Sequence, residues 1–132
     1  MPKHIIGRIG QEIAETITCG RPKSFLLITP NFHKHFRADV YIERTDSALE
    51  VKTGRSKIES YQISDYQSAC FTDGFSVMFV QNPHTGEIGP DLGDFITLRA
   101  RGVAFTQVWF TSAKYGGPRK KKRAIASTRA AV

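Results

Sequence analysis

Between Phe36 and Thr53 the chain alternates apolar and polar residues in two runs with a turn between them. No other stretch constrains the fold as tightly. In the first run Phe36, Ala38, Val40 and Ile42 alternate with Arg37, Asp39, Tyr41 and Glu43. Successive side chains of a strand point to opposite faces, so the run reads as a strand with one buried face. Arg44, Thr45 and Asp46 supply a turn. In the second run Leu49, Val51 and Thr53 alternate with Ala48, Glu50 and Lys52. Two such runs joined tightly predict an antiparallel hairpin.

The flanking segments place this hairpin in an α/β context. Ile5, Ile6, Ile9, Ile13 and Ile17 recur at near-helical spacing and predict a helix over 5–18, with Gly20 as its stop. Arg21, Pro22 and Lys23 read as a turn, and Phe25 to Thr29 as a short strand closed by Pro30. Residues 57–71 return to helical spacing, 75–80 (FSVMFV) read as a buried strand, 91–101 as a short helix and 103–110 (VAFTQVWF) as a last strand. The order α-β-β-β-α-β-α-β predicts a mixed sheet flanked by helices, because β-α-β crossovers join parallel neighbours.

Size and charge narrow the class further. The 132 residues fit one domain, and 40% apolar with 23% charged residues is the balance of a soluble globular protein. No apolar run approaches the roughly 20 residues of a membrane span, and the N-terminus has no signal-like apolar region. The expectation is a soluble, cytoplasmic protein with no membrane partner. Cys19 and Cys70 stand far apart and read as reduced, half-buried thiols. The net charge of +7 is concentrated: Lys114, Arg119, Lys120, Lys121, Lys122, Arg123 and Arg129 are joined by no acidic residue, whereas residues 1–113 hold equal numbers of acidic and basic groups. Residues 1–113 are therefore read as the domain and 114–132 as a basic, flexible tail. The run Arg119–Arg123 is suited to binding phosphates and making that binding salt-sensitive.

Asp39, Glu50 and Lys52 are the residues that carry chemistry. Glu50 and Lys52 are two apart on one strand and share a face. Pairing through the turn brings Asp39 near Glu50. Two neighbouring carboxylates repel unless a proton or cation lies between them, and a hard cation such as Mg²⁺ suits such a pair. Arg55 and Lys57, just beyond the strand, are placed to grip a phosphate. His33 and His35, read as loop residues before the strand, lack a third ligand at metal-binding spacing. Outward-facing Asp, Glu and Lys on a hairpin are more often a solvated surface, so the surrounding context matters.

That context, RAD…LEVKTG…YQISDY, resembles the PD-(D/E)xK, or restriction-endonuclease-like, nuclease superfamily. Ala38 stands where the strict pattern has proline. The resemblance implies an α-β-β-β-α-β core and an endonuclease dependent on Mg²⁺ or Mn²⁺. Asp39, Glu50 and the Val51 carbonyl would bind the metal, and Lys52 would serve the nucleophile. It further implies a supporting role for Gln62 on the following helix and an acidic contribution from Glu12 on the first, with Glu15 competing for that place. DNA is the favoured substrate because most of the superfamily cuts DNA. A narrower likeness runs through EVKTG, QISDY, FVQNPHTGEIGP and RARGVAFTQVWF, and is similar to C-terminal nuclease toxin domains of bacterial polymorphic and contact-dependent inhibition systems. That likeness implies delivery into a target-cell cytoplasm and a cognate immunity protein. A stand-alone resolvase, repair or restriction nuclease fits the same residues. So does a non-catalytic nucleic-acid-binding module of the same fold, although the intact Asp39, Glu50 and Lys52 argue against it. A nucleotide hydrolase is disfavoured by the lack of a GxxxxGK[ST] loop.

Overall fold

A computed structural model describes residues 2–111 and 125–131. Among them the elements run α1 (Lys3–Thr18), β1 (Arg21–Ile28), β2 (His33–Ile42), β3 (Ser47–Thr53), α2 (Ser60–Ala69), β4 (Phe75–Val80), α3 (Leu92–Ala100), β5 (Ala104–Thr111) and β6 (Ile125–Ala131). Strands β1 to β5 form an open mixed sheet in chain order, and β6 adds antiparallel to β5 at the edge. β1–β2 and β2–β3 pair antiparallel, and β3–β4 and β4–β5 pair parallel through the crossover helices α2 and α3. The expected α/β class and element order hold. Residues 125–131, expected within a structureless tail, instead continue the sheet.

Helix α1 packs on one face of the sheet. Ala14 and Ile13 lie against Val40, Leu49, Met78, Val80 and Val108. The helix passes close to β3 at Gly10, where any side chain would collide with Thr53. Its end is set by Cys19, not Gly20: Cys19 takes the left-handed conformation (φ 60°) and its N–H returns to the Glu15 carbonyl. Gly20 is needed for another reason, since a Cβ there would strike Val40 and the Tyr41 carbonyl. Helices α2 and α3 cover the opposite face through Ile63, Tyr66 and Leu98, against Ala48, Val77, Phe79 and Phe105. Cys19 and Cys70 are both free and exposed, not half-buried.

Two departures from the expected strands shape the site. Strand β1 begins at Arg21, where a turn was expected, and β2 begins at His33, so both histidines lie on a strand. The pairs Arg21↔Tyr41 and Lys23↔Ala38 advance two residues along β1 but three along β2. The extra residue is a β-bulge at Asp39–Val40, and a bulge reverses the side-chain phase. Phe36 and Ala38 accordingly pack toward α2, whereas Val40 packs toward α1. The single apolar face expected for 36–42 is therefore split between two cores.

The bulge also marks where β2 leaves β3. These strands pair only at Val40↔Leu49, Tyr41↔Ala48 and Ile42↔Ser47. From His33 to Ala38, β2 pairs with β1 alone, and the two strands continue as a ribbon. An aromatic cluster holds the ribbon to α2. Phe36 meets Tyr66 edge-on at 4.8 Å, Phe25 meets Phe71 at 5.2 Å, and Tyr66 stacks on Phe75 at 4.9 Å. Such pairs are each worth about 1 kcal/mol beyond the area they bury.

Candidate active site

The opening between β2 and β3 leaves main-chain groups without ladder partners, and side chains take their place. The Asp39 carboxylate accepts the Val51 N–H at 2.8 Å. The Tyr66 hydroxyl accepts the Asp39 N–H at 3.0 Å and lies 2.9 Å from both the Leu49 carbonyl and Glu50 Oε1. One phenolic proton serves those two acceptors. Within a strand the N–H and C=O of one residue point to the same side, so the Val51 carbonyl also faces the opening.

Glu50 and Lys52 project from β3 toward α2, on one face as their spacing requires. Gln62 joins them. Its Nε2 donates to Glu50 Oε2 at 3.0 Å, while its Oε1 accepts from Lys52 Nζ at 2.9 Å and from the Glu59 N–H at 3.0 Å. The last bond is half of a capping box that starts α2. Gln62 thus fastens the helix start and orients the site with one amide. Lys52 Nζ lies 3.5 Å from Glu50 Oε2, with both side chains largely buried.

Burial dominates the electrostatics. It is the main cause that raises the Glu50 pKa to about 7, with the nearby Asp39 charge adding to it and Lys52 opposing it. Burial also raises the Asp39 pKa, against the Val51 N–H that stabilises its anion. The Tyr66 hydroxyl is pushed far upward by burial and by both carboxylates, so it stays protonated.

Asp39, Glu50, Val51, Lys52 and Gln62 therefore come together as expected, and Glu12 does not. Glu12 is exposed and lines a separate cleft with Thr16, Cys19 and Arg21. The α1 residue that reaches the site is its neighbour Gln11, which donates to the Asp39 carbonyl and to Glu15. Successive helix residues are about 100° apart, enough to turn one toward the strand and the next to solvent. Tyr66 was missed as a polar participant because it fits its helix as an apolar residue. The available signal was its spacing from Gln62, since i and i+4 share a helical face.

Two spaces flank the carboxylates. A cavity of about 270 Å³ lies between the ribbon and α2, lined by Asp39, Glu50, Gln62 and Tyr66 among others. On the other side a groove of about 610 Å³ is lined by Lys3, Gln11, Lys52, Arg55 and Lys57. Lys57 is not free there, for it pairs with Asp91 at 3.0 Å and Asp94 at 3.2 Å. Arg55 is exposed on the groove. The run Arg119, Lys120, Lys121, Lys122 and Arg123 lies outside the described residues.

Among the described residues no group of three or more His, Cys, Asp and Glu side chains forms a metal cluster, the exposed His33 and His35 included. A pair of carboxylates with one main-chain carbonyl is a smaller set and all oxygen. No protein-family model, curated protein or solved structure matches the chain. Among the described residues no helix is long and apolar enough to cross a membrane.

Proposed function

We propose that this chain is a metal-dependent nuclease of the PD-(D/E)xK class that hydrolyses phosphodiester bonds in DNA. The observation that carries the reading is the Asp39 carboxylate, seated in the opening between β2 and β3 and set against the buried Glu50. A structural hairpin gains nothing from two acidic groups buried side by side, and perturbed carboxylates of this kind concentrate at functional sites.

The donor set suits a hard divalent cation. Asp39, Glu50 and the Val51 carbonyl offer only oxygen, the ligand type of Mg²⁺ and Mn²⁺. When bound, such an ion lowers the pKa of a water and neutralises charge on a phosphate. The remaining work falls to side chains already in place. Lys52 holds a positive charge beside Glu50, suited to an anionic phosphate oxygen or a deprotonated water. Gln62 fixes the Lys52 ammonium and the Glu50 carboxylate relative to each other. Tyr66, protonated and clamped by aromatic neighbours, anchors the other Glu50 oxygen. Preorganised groups of this kind need no rearrangement as charge develops.

The test is cleavage of supercoiled plasmid, linear duplex and single strands in Mg²⁺, Mn²⁺ or EDTA, with Glu50→Gln and Lys52→Ala alongside. Metal-dependent cutting by the natural sequence alone is expected. A folded protein that cuts none of these under either metal would sink the reading.

A further inference from the structure

The cavity beside Asp39 and Glu50 does not end at the carboxylates. It shares Lys34, Tyr61 and Asp65 with a second space of about 510 Å³ that runs between the ribbon and α2 to Phe32 at the ribbon's turn. Two aromatic rings line this second space and both are exposed, Phe32 at 53% and Tyr61 at 60%. A single exposed aromatic residue is ordinary. Here two line one groove, and that groove opens into the buried acidic pair.

The charge of the ribbon points to the occupant. Of the ribbon's four Lys and Arg residues, Lys34 and Arg37 line this path together with His35, opposite Asp65 and the acidic pair, whereas Arg21 and Lys23 lie away from it, against Glu15 and Tyr41. Lys34 stands where the two spaces meet. It pairs with Asp65 at 2.9 Å and lies 5.5 Å from the Tyr61 ring centroid, with part of its side chain open to solvent. Along α2 the groove is walled by Ser60, Ser64 and Ser68, small residues that keep it open. Exposed aromatic rings beside a few cationic side chains are a means by which proteins hold unpaired nucleic acid, because every base offers a face to stack on. The two spaces, about 270 and 510 Å³, have the size of pockets for small ligands and not of a cleft for a double helix.

We infer that the groove from Glu50 to Phe32 is a subsite for an unpaired DNA strand, whose bases stack on Tyr61 and Phe32. The inference rests on the proposed nuclease reading for its placement and deepens it: the substrate would be a single strand, a flap or a frayed end in preference to intact duplex.

The experiment is binding without divalent metal, in EDTA at 150 mM salt, so that cleavage plays no part. The full chain is titrated against fluorescently labelled single-stranded and blunt duplex DNA of equal length, and against a single strand carrying 2-aminopurine. The single strand should bind about tenfold tighter or more, with 2-aminopurine quenched. Phe32→Ala and Tyr61→Ala should each weaken single-strand binding about tenfold and leave duplex binding unchanged, and Phe32→Trp should restore it. Both positions are exposed, and circular dichroism checks that the variants fold. Equal affinity for single strand and duplex overturns the subsite, as does unchanged single-strand binding by both alanine variants. A change of oligomeric state in those variants without loss of DNA binding assigns the surface to a second copy and also overturns it. Selective binding with no metal-dependent cleavage leaves the subsite standing and removes the nuclease. Metal-dependent cleavage of single-stranded DNA that is indifferent to both alanine variants does the reverse.

Discussion

The Asp39 carboxylate accepts the Val51 backbone N–H at 2.8 Å, filling the place of a ladder partner just where β2 parts from β3. The same side chain thus closes the sheet and faces Glu50. Its two roles separate by substitution. Asp39→Asn keeps an oxygen for Val51 and removes the charge that opposes Glu50, so folding stability should hold or rise while cleavage falls to background. Asp39→Ala also strips the acceptor and should cost about 1–3 kcal/mol in urea unfolding, the scale of an orphaned buried donor. Equal stability losses in both variants would show that the Val51 bond has no structural weight.

The buried pair makes stability depend on pH in an uncommon sense. Glu50 has a folded pKa of about 7, above its unfolded value, so the folded state holds its proton more tightly. From about pH 4.5 to 7 the unfolded chain gives up that proton and the folded chain does not, and stability contributed by Glu50 is lost as pH rises. The shift corresponds to about 3 kcal/mol across that window. Asp39, also raised, acts in the same direction. Asp46 and Asp91 have lowered pKa values and act oppositely, losing their contribution only as pH falls through the lower carboxylate range. In metal-free buffer Tm should therefore decline between pH 5 and 8, and Glu50→Gln should flatten the decline. Mg²⁺ should raise Tm at pH 8 far more than at pH 5, since only the ionised pair binds a cation. A Tm insensitive to Mg²⁺ at pH 8 would count against a cation site.

Period-two patterning made Glu50 and Lys52 legible as one face of β3, and the turn at Asp46 made the hairpin and the approach of Asp39 legible. The bulge at Asp39–Val40 was not. It is a matter of register between strands, and no local residue in ADV announces it. Yet it sends Ala38 and Val40 to opposite cores. The exchange of Gln11 for Glu12 has a similar origin. Helical periodicity located α1, but the rotation of the helix is set by the tight crossing at Gly10 over Thr53. Tyr66 was hidden because its buried ring satisfies the pattern of a core residue while its hydroxyl does the polar work.

Tyr66→Phe tests that polar work. The ring contacts with Phe36 and Phe75 remain, but the Asp39 N–H and the Leu49 carbonyl lose the hydroxyl between them. The variant should fold with a loss of about 1–3 kcal/mol. If Tyr66 positions Glu50, kcat should drop with KM little changed, because the hydroxyl removed is bonded to Asp39, Leu49 and Glu50 and the ring stays in place. A proportionate rise in KM at constant kcat would assign Tyr66 to substrate binding instead.

The groove beside Lys52 separates two cations that look equivalent in sequence. Lys57 is held by Asp91 and Asp94, and these hydrogen bonds raise its pKa, so its charge is already answered within the protein. Arg55 is exposed on the same groove, two residues from Lys57 and close enough to Lys52 to meet the same phosphate backbone. Each phosphate contact releases condensed counterions and adds about one unit to the slope of log affinity against log salt. Arg55→Ala should therefore weaken DNA binding across sequences and reduce that slope by about one. Lys57→Ala should leave the slope nearly unchanged and act instead on the docking of α3, whose N-cap Asp91 and buried Asp94 lose their partner. Binding isotherms between 50 and 300 mM salt, with thermal unfolding of the same samples, distinguish the two. The reverse pattern, a reduced slope for Lys57→Ala and none for Arg55→Ala, would mean that the Asp91 and Asp94 pairs open when DNA arrives and that Lys57 is the phosphate ligand.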